Sequence, residues 1–160
     1  MTTQLPEVNQ NSALYDQDYC LWLETTVKLL RERRFEALDL DSLVEEIEGL
    51  AKADKRELRN RLTILLEHLL KLAYWEEERQ TCARGWKNTI REQRRQIKLL
   101  VNDSPSLKPF LLEIFADCYA EAREDASEKT SLPIDTFPEH CPFTSEETLN
   151  LDYLPGLTNL

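Results

Sequence analysis

Glycine is nearly absent, with three in 160 residues. Loops that cradle a phosphate, nucleophile elbows and dinucleotide turns all need glycine at fixed positions, and none of those patterns occurs. Nor does the chain carry the H-E-x-x-H spacing of a zinc helix. No apolar run approaches the roughly 20 residues that cross a bilayer, so no membrane partner is expected. The first residues, MTTQLPEVNQNSALYDQDY, lack the basic start and apolar segment of a secretory signal, and a cytoplasmic location is expected. Four cysteines, Cys20, Cys82, Cys118 and Cys141, form no C-x-x-C pair and read as reduced, mostly buried thiols.

What is present is a chain 41% hydrophobic and 31% charged, enough apolar surface for a real core. The net charge is −10, which repels a polyanion and disfavours nucleic acid as a partner. Few glycines and apolar residues at helical spacing point to an all-α fold, a helical bundle of about four main helices. Residues 1–14 read as a flexible lead-in, and 15–155 as a single helical domain. Tyr19, Trp22, Leu23, Val27 and Leu30 predict a first helix over 15–34. Asp39 and Asp41 are capping candidates for a long helix over about 41–76, with room for a kink after Gly49. The polar stretch 76–82 reads as a connection before a third helix at about 84–102. Ser104 and Pro105 then predict the start of a fourth, running to about 127. The tail 132–155 is proline-rich, carries a capping box at Thr144–Glu147 and has enough large apolar residues to wrap the bundle.

Several pieces recur in a recognisable order: YDQDY (15–19), LLRERRFEALDLDSLVEEIEGL (29–50), HLLKL (68–72), RGWKNTIREQRRQI (84–97), SPSL (104–107), DTFPEHCPFT (135–144) and DYLP (152–155). Together they resemble a bacterial, especially cyanobacterial, family of uncharacterised helical proteins, the domain-of-unknown-function family numbered twenty-nine. The resemblance implies an all-helical fold and no activity. One departure is KTSLP at 129–133, where the family pattern carries an acidic residue and a glycine in place of Lys129 and Ser131. That glycine would end the fourth helix.

Three constellations offer chemistry. Glu45 and Glu48 share a helix face and with His68 would hold Mg2+ or Mn2+, His68 doubling as a base and Lys71 receiving an anion. The plain alternative is a solvated helix start that suits the dipole, with His68 packed between helices. Arg84, Lys87, Arg91, Arg94, Arg95 and Lys98 recur every three or four residues and form a basic stripe opposite Trp86, Ile90 and Ile97. It would receive an acidic partner, or be balanced internally by Glu113, Asp117, Glu121, Glu124 and Glu128. Gln93 falls on the apolar stripe and needs a partner there, His68 or a tail carbonyl. Finally, His140 and Cys141 could bind zinc with Cys82 or His68 as distant ligands, but Cys141 and Pro142 read as tail packing.

Two functions remain. The first is a protein-interaction or regulatory module that binds a partner through charged helix faces, with no cofactor. The second is a metal-dependent hydrolase of nucleotides or nucleic acid using Mg2+ or Mn2+, with Glu45, Glu48 and His68 at the metal and Lys71, Arg91 and Arg94 on phosphates. The absence of a second acidic motif favours the first.

Overall fold

A computed structural model describes residues 7–156, with side chains from residue 12 onward. Among the described residues there are six α-helices and no strand: α1 Glu7–Gln17, α2 Tyr19–Arg31, α3 Leu40–Tyr74, α4 Glu76–Asp103, α5 Leu107–Thr130 and α6 Ser145–Leu149. The fold is all-α, as expected. The chain divides into two compact units, Met1–Ala53 and Asp54–Leu160, each described by itself. The division falls inside α3, and the reason is visible in burial. Leu58, Leu62, Leu65, Leu66, Leu69 and Leu70 are fully buried, whereas Leu40, Val44, Ile47 and Leu50 are more than half exposed.

In the first unit, residues 7–14 of the lead-in expected over 1–14 fall within α1; the rest, 1–6, lies outside the described residues. The helix expected over 15–34 is broken at Asp18, whose carboxylate accepts from the Leu21 amide and caps α2. An aspartate at this place offers the free amides a better partner than helix continuation does. After α2 the chain turns through Arg33, in a left-handed conformation at φ 56°, and a short 3-10 turn at Phe35–Ala37. The core of this unit is small: Trp22, Leu29, Ala37 and Leu38. Tyr15 and Tyr19 both donate to the Glu46 carboxylate, which ties the α1–α2 segment to the first turns of α3.

The second unit is a bundle of the later turns of α3 with α4 and α5. The leucines of α3 meet Trp86, Ile90 and Ile97 of α4 and Leu111, Ile114 and Cys118 of α5 in one core. Residues 76–82 are not a connection, since α4 begins at Glu76 and the single residue Trp75 breaks the chain. Glu76, Glu77 and Glu78 suit the positive end of a helix dipole. Ser104 ends α4 rather than starting the next helix, because its amide closes on the Leu100 carbonyl; α5 starts at Leu107. The helix α5 runs to Thr130 and stops at Ser131, which takes the left-handed conformation at φ 59°. The tail returns Phe137 and Phe143 to the core, and α6 opens on the expected capping box of Thr144 and Glu147.

Candidate functional site

The proposed metal ligands do not gather. Glu45, Glu48 and His68 sit in one continuous helix, and the twenty residues from Glu48 to His68 correspond to about 30 Å of rise. No group of three or more His, Cys, Asp or Glu able to hold a metal exists among the described residues. Glu46, next to Glu45, is the glutamate engaged, and its bond pushes the Tyr19 hydroxyl up to about 12.

His68 and Lys71 are also committed elsewhere. The His68 Nδ1 donates to the Ile64 carbonyl 2.8 Å away, and burial lowers the ring below the ordinary histidine value. The Lys71 ammonium is 2.7 Å from Glu67, which is 1% exposed, so its charge is paired inside the bundle. Glu67 is a buried charge that the sequence reading passed over. Its one visible signal is the i, i+4 spacing to Lys71, a pairing distance on a helix.

The basic stripe divides. Arg84, Arg91, Arg95 and Lys98 are exposed and Lys87 is half-buried. Arg94 does not belong with them. It is 2% exposed and donates from Nε to Thr148 O at 2.8 Å, from Nη1 to Tyr153 O at 2.8 Å and from Nη2 to Glu147 O at 3.2 Å. Four residues beyond Ile90 and three before Ile97, it sits on the core face and clamps the tail. Burial lowers its guanidinium to about 10, and no carboxylate pairs with it among the described residues. Of the carboxylates expected to balance the stripe, Glu121 faces a different cation, lying 3.3 Å from Arg59 of α3. Gln93 accepts from Arg61 at 3.2 Å rather than meeting His68 or the tail.

Two hollows adjoin along this face. One, of about 170 Å³, is lined by Arg94, Lys98, Asn102 and Lys108 over Ile97, Val101, Leu111, Leu149 and Leu151. A second, of about 380 Å³, is bordered by Arg91, Arg95, Lys98, Leu151 and Asp152.

The tail cysteine bonds locally. The Cys141 thiol donates to the Phe143 carbonyl, and burial pushes it up, while His140 is exposed. All four cysteines are free.

In the first unit the notable surface is apolar. Leu23, Val27 and Leu30 of α2 and Leu40, Val44, Ile47 and Leu50 of α3 are all exposed, each set at intervals of three or four residues. No helix among the described residues is long and apolar enough to cross a membrane. No curated protein and no solved structure matches the chain. A family model does match it, over residues 14–154, and by that match the chain belongs to the family described as a domain of unknown function, DUF29.

Proposed function

We propose that the protein is a helical interaction module, that its N-terminal unit is the docking element, and that the partner this surface fits is a second copy of the chain. The observation that carries the reading is the pair of unpartnered stripes on α2 and α3, with Leu50 at 63% and Ile47 at 57% exposure. An apolar face of that kind is what a helix presents to another protein helix. The seven stripe residues and Phe35 expose on the order of 700 Å², near the ~800 Å² per partner of a standard interface.

Charge supports a like partner. The end of α2 and its turn carry Lys28, Arg31 and Arg33, while the first turns of α3 carry Asp41, Glu45 and Glu48. A two-fold axis along the hairpin sets α2 of one copy against α3 of the other, so each basic end meets an acidic one. Such self-complementarity is the requirement of an isologous dimer. In this reading Glu45 and Glu48 steer a partner rather than hold a metal.

Light scattering on the eluting protein tests it. The expected mass is twice 18.8 kDa, falling to 18.8 kDa in an Ile47→Glu, Leu50→Glu double variant that keeps its helical circular dichroism. Arg31→Glu weakens the dimer, and adding Glu45→Arg restores it if the two meet across the axis. A wild type that stays at the mass of one copy over the whole micromolar range overturns the reading.

A further inference from the structure

Among the described residues, the guanidinium of Arg94 is buried, charged and bonded only to neutral carbonyls. Taking such a charge out of water without a counter-ion is costly, and proteins normally supply a carboxylate. None is supplied here among the described residues. Three of the five guanidinium N–H groups are used by the tail, which leaves two. Arg94 lines the hollow of about 170 Å³, where Lys98 and Lys108 add two more cations and no acidic residue lines the wall. Below the cations the wall is apolar, made by Ile97, Val101, Leu111, Leu149 and Leu151. Its size is close to the engineered cavity of about 150 Å³ that takes up benzene in another protein.

We infer that this hollow between α4, α5 and the tail is a binding site for a small organic anion, a monocarboxylate on an apolar body of about six carbons. The carboxylate sits against Arg94 and between Lys98 and Lys108, and the body lies against Leu111 and Leu149. The charge makes the site unusual: in a chain of net charge −10, cations are concentrated here. Arg91 and Arg95 border the adjoining hollow beside the single acidic residue Asp152, and the two cations outweigh it and extend the positive field that draws an anion in. The tail forms part of the wall, so a bound carboxylate and the Arg94 clamp act on the same segment. The site stands apart from the docking reading of the N-terminal unit and does not depend on it.

Calorimetric titration of the full chain with hexanoate and with phenylacetate tests the inference. The expected result is saturable binding of one equivalent, at least about ten-fold tighter than acetate, which has the charge without the body, or hexanol, which has the body without the charge. Lys98→Glu and Lys108→Glu, both at exposed positions, weaken hexanoate by about three- to ten-fold without loss of the fold. Because replacing Arg94 disturbs the tail, its participation is read in the wild type: the Arg94 Nε–H resonance shifts with hexanoate and not with hexanol. Absence of saturable binding, an equal response to acetate, unchanged affinity in both lysine variants, or an unmoved Arg94 resonance overturns it.

Discussion

Lys129 Nζ lies 2.8 Å from Glu67 Oε2, joining the end of α5 to the inside of α3 across 62 residues of chain. Lys71 meets the other oxygen, Oε1, at 2.7 Å. One buried carboxylate thus serves two ammonium groups, but unequally: the Lys71 side chain is 10% exposed and that of Lys129 is 55% exposed. Glu67→Gln keeps the shape and strands Lys71 as a buried, unpaired cation, which costs about 3–5 kcal/mol. Lys129→Ala leaves Glu67 with its better-buried partner and removes a half-solvated one, so the loss is about 1 kcal/mol. Urea unfolding of the two variants checks the ratio, and equal losses would contradict the asymmetry.

The same cluster sets an acid limit. Burial works to raise Glu67, but the Lys129 and Lys71 ammonium groups outweigh it and hold the carboxyl below the ordinary glutamate value. Its contribution is therefore complete above the unfolded value of ~4.3 and is lost as pH falls through the lower folded value. His68 acts earlier. Burial depresses its folded value too, so its neutral form stabilises the fold above the unfolded ~6.5 and that stability declines as pH falls. A melting-temperature profile should fall in two stages, the first below about pH 6.5 and the second below about pH 4.3. His68→Gln should flatten the first stage alone.

Arg94 is expected to be worth more than a surface cation. Its planar fork reaches three carbonyls on the tail at once, which a lysine ammonium on a flexible stem does not reproduce. Arg94→Lys should cost about 2 kcal/mol, roughly two lost hydrogen bonds to a charged donor after partial replacement. The loss should be local first: amide exchange should speed up over residues 144–155 before α3 or α4 responds. Uniform acceleration across the bundle would show that the clamp is not what holds the tail.

These positions also show where sequence reasoning reached and where it stopped. The leucines of α3 fix a long helix and its buried face, because a 3.6-residue period needs no knowledge of what packs against it. The capping box at Thr144–Glu147 was legible for the same reason, since all its atoms lie within four residues. The break at Asp18 and the start of α4 at Glu76 were not, because EEERQTC has no apolar period and one residue, Trp75, suffices to divide two helices. Arg94 could have been placed, as it falls between Ile90 and Ile97 on their own face. Its partners could not: they are backbone carbonyls more than fifty residues away, which no side-chain pattern announces. Glu45 and Glu48 are set apart from His68 for the reverse reason. A long helix keeps residues apart in proportion to their separation, and the reading already held that helix.

Ser131 closes α5 in the left-handed conformation at φ 59° and is exposed, so no packing rewards its side chain. An L-residue there carries a steric cost of roughly 1–2 kcal/mol that glycine avoids. Glycine is also freer in the unfolded chain, and that entropy offsets part of the gain. The turn has a second support that the substitution leaves alone, the Leu132 amide bonded to the Thr130 hydroxyl at 3.2 Å. Ser131→Gly should therefore stabilise the protein by about 0.5–1 kcal/mol, a rise of about 2 °C in Tm for a chain of this size. Ser131→Ala, which keeps the Cβ and gains nothing, should not be stabilised and serves as the control. Arg33 at φ 56° repeats the geometry after α2, so Arg33→Gly should raise stability in the same direction. If Ser131→Gly melts at or below the wild type, strain at this cap is not being relieved, and the turn rather than the helix end would determine the conformation of residue 131.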